Sequence, residues 1–187
     1  MEALVPAFIA ALLTQIGDRP ALLTAILADR YGRPLAVALA VGLAHAAGNA
    51  LAAFAASWIA PMLNPNAQGL MLAIALFFAA LGALWPMKKT DRLEHWRLGS
   101  LLTPLLAIFI LALGDRTQFF TFAIATRGQP WFAAIGATAG AFAVTFVAAV
   151  LGELAWNRLP LRYFRIVTGL AFLVAAAAVA LSSFGLV

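Results

Sequence analysis

Cysteine is absent from the 187 residues, which excludes disulfides, thiolate metal sites and thiol chemistry and leaves the redox compartment unread. Charge is scarce: 10% of residues are Asp, Glu, Lys or Arg, against about a quarter in soluble domains. The two histidines, His45 and His95, lie far apart. HExxH, GxSxG, a Walker glycine loop and GxGxxG do not occur, so the usual hydrolase and nucleotide-binding signatures are missing. With loops too short for a soluble catalytic domain, the chain reads as neither an enzyme nor the holder of a cofactor.

What is abundant is apolar length. Hydrophobic residues make up 65% of the chain, and a spanning helix needs about 20 of them in succession. Six such runs fit, at 4–28, 34–60, 67–86, 100–126, 130–156 and 161–186. The fold class expected is an all-α membrane protein of six transmembrane helices. Tyr31, Trp58, Trp85, Trp96, Trp131, Trp156 and Tyr163 fall at or just beyond the ends of these runs, as an interfacial aromatic belt would. The start, Met1-Glu2-Ala3-Leu4, lacks the basic region of a cleavable signal, so the first run is expected to be retained as a helix.

The net charge of +5 fits membrane topology better than nucleic acid, because the basic residues sit in short loops. Arg30, Arg33, Lys88, Lys89, Arg92, Arg97, Arg158, Arg162 and Arg165 lie in or beside the loops after runs one, three and five, and Arg127 lies on the other side. The positive-inside rule then puts those loops in the cytoplasm and both termini outside an inner membrane. The expected partners are the lipid bilayer and a small transported ion, with no nucleic acid; the oligomeric state stays open.

The chain repeats itself. Laying Asp18 on Asp115 brings Gly17-Asp18-Arg19 over Gly114-Asp115-Arg116, Thr24 over Thr121 and Ala28 over Ala125, at a spacing of 97 residues. Small shifts also match Pro34 with Pro130, Gly42 with Gly136 and Gly69 with Gly169. The division is a first three-helix repeat at 1–86, a cytosolic linker at 87–99 and a second repeat at 100–187. Three spans are an odd number, so the halves would cross the membrane in opposite senses, the arrangement that puts a substrate at the midplane between them. The linker carries Lys88, Lys89, Asp91, Arg92, Glu94, His95 and Arg97 and reads as a solvated, topology-setting charge run. Gly136 and Gly140 form a small-residue face for close helix packing.

Asp18 and Asp115 each lie about fifteen residues into a run, where a charge costs at least about 2.5 kcal/mol. They either hold an ion or join two helices by salt bridges. Neighbours on a helix diverge, so Asp18 would pair with Arg116, and Asp115 with Arg19; the arginines are either counter-ions that swing aside for a cation or static partners. Pro20 removes a backbone N–H and would free the Ile16 carbonyl within the first span, with Gly17 beside it easing local unwinding, or it is an ordinary proline kink without ligand duty. Thr117 stands at the matching place in the fourth, so any break there must rest on Gly114 alone. Thr14, Gln15, Gln118 and Thr121 lie on the outer side of their aspartates and would line an outward-facing polar vestibule. His45 and Asn49, four apart in the second span, could ligate a divalent metal, relay a proton or bridge helices. Glu153, near the cytoplasmic end of the fifth span and within reach of Arg158, is either an interfacial ion-pair partner or a proton-exit carboxylate.

The doubled Gly-Asp-Arg motif, followed by Pro20-Ala-Leu-Leu-Thr24 in one copy and Thr117-Gln-Phe-Phe-Thr121 in the other, resembles the Gdt family, uncharacterised protein family sixteen. That resemblance implies six-helix exchangers of divalent cations, among them manganese exporters and manganese/calcium–proton antiporters, with Asp18 and Asp115 as cation ligands. The family motif reads Glu, an apolar residue, Gly, Asp, Lys or Arg, then Ser or Thr. Here Gln15 and Ala112 stand where it has glutamates, and Pro20 stands where it has Ser or Thr. On this reading Asp18 and Asp115 coordinate Mn2+ (or Ca2+) exported against protons, Gln15 and Gln118 assist, and Arg19 and Arg116 balance charge. Asp18, Asp115, Arg19 and Arg116 sum to zero, which would also suit an exporter of another small solute, and a non-transporting membrane subunit is a further alternative.

Overall fold

Apolar length alone predicts six unbroken helices; three of the runs fold that way, and the fifth run is a helix interrupted near its end at Gly152 (φ 73°, ψ 174°). The computed structural model describes residues 2–85 and 90–185; Pro86 at the end of the third expected span, Met87, Lys88 and Lys89 of the expected linker, and Leu186 at the end of the sixth expected span lie outside them. Helix α3 runs Pro34–Ile59 and continues in a 3-10 turn, Ala60–Met62; α4 is Pro65–Leu84, α7 Pro130–Arg158 and α8 Leu161–Ser183. Each of these four is long and apolar enough to cross a bilayer. Among the described residues there is no strand.

The first and fourth runs do not fold as single helices. Each breaks at its Gly-Asp-Arg motif, giving α1 (Leu4–Gln15) and α2 (Arg19–Tyr31), then α5 (Gly99–Ala112) and α6 (Arg116–Ala125). The α5–α6 bend is 66°, and the pair counts as a fifth span if taken as one. Helix α1, of 12 residues, is only about 18 Å long at 1.5 Å per residue, too short to cross alone.

The two breaks use one backbone path. Ile16 and Leu113 leave the helix at ψ 115° and 114°. Gly17 and Gly114 follow at φ 76° and 77°, a left-handed conformation that favours glycine. Asp18 and Asp115 are extended, at ψ 166° and 159°, and stand as N-caps of α2 and α6. The position of Pro20 corrects its expected role: it lies in the first turn of a new helix, where its missing N–H costs nothing. The break belongs to glycine and aspartate, which is why Thr117 can replace Pro20 in the second copy.

Packing exchanges the copies. Helix α1 lies on α7 as α5 lies on α3, and α2 touches α7 as α6 touches α3, while α3 packs on α7 and α4 on α8 across the centre. The expected small-residue face does pack closely, with Gly136 and Gly140 against the backbone of Leu4 and Phe8 on α1. The core is largely alanine, and long apolar side chains such as Leu39, Leu43, Phe54, Val174 and Leu154 point outward, as expected where lipid replaces water. Trp58, Trp85, Trp131 and Tyr163 are exposed, but Trp156 is buried beside Ala21, Ala25 and Ala148. It belongs to the core and not to the aromatic belt.

One face of the bundle gathers the ends of α2, α4 and α7 with the starts of α3, α5 and α8. The described part of the linker is strapped across it. Arg30 donates to the carbonyls of Leu93 (2.8 Å), Glu94 (3.2 Å) and Trp96 (2.8 Å), and Arg92 pairs with Glu153 at 2.5 Å. Glu153 thus finds its ion pair on the linker, not at Arg158, while its N–H donates to Asp29 Oδ2 at 2.7 Å.

Candidate functional site

Breaking a helix in mid-run exposes an N-terminus, and Asp is a favoured residue for covering one. Asp18 Oδ1 accepts from the N–H of Arg19 at 2.9 Å, and Asp115 Oδ2 accepts from the Thr117 hydroxyl at 3.4 Å. The positive ends of α2 and α6 thereby support two carboxylates that would otherwise be costly to bury.

A single guanidinium joins the two caps. Arg116 Nη2 lies 2.6 Å from Asp18 Oδ2, and its Nε lies 3.9 Å from Asp115 Oδ1. The first pairing matches expectation. The second does not: Asp115 faces its own neighbour Arg116, and Arg19 forms no ion pair among the described residues. Room for Arg116 comes from α4, because a Cβ at Gly82 would collide with its side chain.

Asp18, Asp115 and Arg116 line a cavity of about 360 Å³, with Arg19, Trp85 and Arg165 completing its charged and aromatic wall. A second cavity shares Arg19 and Leu111 with it and runs beneath Thr90, Asp91, Leu93 and Trp96 of the linker. The cavity at the aspartates thus shares part of its wall with one under the linker. Arg165, read from the sequence as a topology signal, turns inward: it donates to the carbonyls of Gly82 (3.4 Å) and Trp85, and its stem crosses Gly17. Its place beyond the first residues of α8, inside the helix, was the available signal. Gly82 carried none in the sequence.

The opposite side of the aspartates is closed. Thr14, Gln15, Thr117 and Thr121 are buried and linked: Gln15 Nε2 donates to Thr117 Oγ1 at 3.3 Å, and the Thr14 and Thr117 hydroxyls lie 3.3 Å apart. The Thr121 hydroxyl is shared between the Thr117 carbonyl (2.8 Å) and Asn49 Oδ1 (3.1 Å), and Asn49 Nδ2 donates to Thr138 at 3.1 Å. Thr14, Gln15 and Thr121 of the expected vestibule thus belong to a polar plug in which hydroxyls and amides from four helices are bonded to one another, while Gln118 stays outside it. Asn49 is a bridge between helices here. His45 is 3% exposed with an unpartnered Nε2, and neither residue lines the cavity. Glu153 does not line it either.

Two amides in this region keep unmet atoms. Gln15 Oε1 has no hydrogen-bond partner, although the residue is fully buried. Gln118 spends its oxygen on the N–H of Gly114 (3.3 Å) and leaves Nε2 without a partner. Neither Gln15 nor Gln118 is in the cavity lining, and Gln15 keeps one free acceptor atom. Gln118 must first release Gly114 to free its own. Among the described residues, no three or more His, Cys, Asp or Glu side chains gather as a metal-binding group.

The sequence profile of the family described as divalent cation/proton antiporter GDT1 matches residues 3–91 and 100–185. A Vibrio cholerae serotype O1 protein named "Putative manganese exporter" is 30% identical over 171 residues, covering 90% of this chain and 85% of that protein. No solved structure matches the chain.

Proposed function

We propose, since the chain belongs to the GDT1 family of divalent cation/proton antiporters, that it exports Mn2+ against protons through the site between Asp18 and Asp115. Membership, with helices of spanning length, makes it a multi-pass membrane transporter and not an enzyme. The choice of manganese over calcium takes its support from the name of the Vibrio relative and from the hard oxygen donors available, which suit either ion.

The observation that carries the reading is the convergence of two carboxylates, 97 positions apart in sequence, on one guanidinium at the wall of one cavity. In our reading the halves at 1–86 and 100–187 are inverted three-helix repeats, so that α1–α2 and α5–α6 are equivalent broken spans. The matching backbone paths at Gly17 and Gly114 and the exchanged packing of α1 and α5 support this. Basic loops put the linker face in the cytoplasm of an inner membrane, with both termini outside. The present conformation is then inward-open, and the Gln15–Thr117–Asn49–Thr138 plug is the closed outer gate.

The cation enters from the linker face and replaces Arg116 between the carboxylates, with Gln15 Oε1 as a further oxygen ligand and Gln118 joining once Gly114 is released. Rocking of one repeat against the other opens the plug and closes the cavity. Protons taken up by the aspartates outside neutralise the site for its return. Arg116 holds the carboxylates together whenever neither cation nor proton does so.

Reconstitution into liposomes, with Mn2+, Ca2+ and lumenal pH followed together, tests this. The wild-type chain is expected to move Mn2+ in preference to Ca2+ with opposed proton movement, and Asp18→Asn or Asp115→Asn to slow it at least roughly tenfold, equivalent to about 1.4 kcal/mol of lost stabilisation. No ion movement, or rates unchanged in both variants, would discard the reading.

A further inference from the structure

The cavity holds more positive than negative charge. Asp18 and Asp115 face Arg19, Arg116 and Arg165, two carboxylates against three guanidiniums, and the N-terminal ends of α2 and α6 add partial positive charge. A bare divalent cation would raise the formal excess from one positive charge to three. Like charge at close range in a site of low dielectric is strongly unfavourable.

The donor count points the same way. Hard divalent ions take six or more oxygens, and this region offers two carboxylates and the Gln15 amide oxygen, with that of Gln118 held by Gly114 until released and no third acidic or imidazole side chain joining them among the described residues. The volume does too, since about 360 Å³ is room for roughly a dozen waters at about 30 Å³ each. A lone metal ion leaves most of that unfilled.

Two of the arginines have donors to spare. Arg19 forms no ion pair among the described residues, and Arg165 meets only backbone carbonyls, through one of its nitrogens. A guanidinium fork is shaped for carboxylate and phosphate oxygens.

We propose that the cavity binds a divalent cation together with a small oxyanion, the cation on Asp18 and Asp115 and the oxyanion on Arg19 and Arg165, so that the transported species is a metal–oxyanion complex. The oxyanion restores charge balance and supplies the missing metal ligands. Its class is a multiply charged carboxylate or a phosphate. This rests on the cation site proposed above.

Equilibrium binding to the full-length chain in lipid nanodiscs separates the two claims. Labelled citrate and labelled inorganic phosphate serve as probes, each with and without Mn2+, and labelled Mn2+ is titrated at fixed free concentration with and without each oxyanion. At least one oxyanion is expected to bind about tenfold more tightly with Mn2+ present and to strengthen Mn2+ binding by the same factor, as linkage requires. Which probe responds identifies carboxylate or phosphate. Arg165→Gln and Arg19→Gln should each remove the mutual enhancement, while Arg162→Gln, an exposed arginine outside the cavity, keeps it. Mn2+ binding that neither oxyanion alters, or enhancement that survives both cavity variants, overturns the inference and leaves the transport reading standing. Absence of Mn2+ binding in every medium overturns both.

Discussion

The two Gly-Asp-Arg motifs share residues and backbone path yet hold their arginines differently. Arg116 reaches both carboxylates and is received by Gly82 of α4. Arg19 faces the cavities without an ion pair among the described residues. The difference lies in the surrounding helices: α4 packs on α6, with no equally close approach of α8 to α2, and what α8 presents to the first break is Arg165, across Gly17. A repeated motif therefore fixes the local turn and the caps, while the neighbours decide which charge is a partner and which is left for a ligand.

Removing the arginines should separate the copies most. Arg116→Ala leaves Asp18, whose side chain is 11% exposed, without its counter-charge, and loss of one partner from a buried pair costs roughly 3 kcal/mol. Arg19→Ala should cost under about 1 kcal/mol, as substitutions away from such pairs do. Denaturant unfolding in mixed micelles measures both, and equal losses would erase the distinction.

A smaller contrast comes from the glycines. Gly17→Ala and Gly114→Ala both force alanine into a left-handed conformation, costing about 1 to 2 kcal/mol. Only the first Cβ meets a neighbour, 2.9 Å from Arg165 Cδ, whereas at Gly114 nothing lies within 4 Å. The same unfolding assay should rank Gly17→Ala as the more damaging, and the gap should close in an Arg165→Ala background. A gap that persists would mean that Arg165 does not set the difference.

Much of this was legible in the residues. Hydropathy marks the helical runs, the 97-residue spacing marks the two copies, and buried charge marks Asp18 and Asp115 as the residues that need explaining. Hydropathy does not report where an apolar run turns; the residues point to local unwinding at Gly17 and to Gly114 as the basis of any break in the fourth span, but not to two separate helices in each run. The turn was nevertheless written in Gly17-Asp18-Arg19-Pro20, an N-cap aspartate with a proline two residues on, after a glycine able to reverse hand. Arg165 was missed because a basic residue near a span end satisfies the topology rule whichever way it points. The closed state of the Gln15–Thr117–Asn49 plug could not be read, since lining a passage and sealing it call for the same polar side chains.

The central claim is that carboxylates from two separate helix breaks share one cation, and anomalous scattering at the manganese edge from Mn2+-soaked crystals locates it directly. The account predicts a peak within ligand distance of both Asp18 and Asp115, with Arg116 turned out of its present bridge. A peak held by other residues, or none while Arg116 still spans the two aspartates, would contradict it.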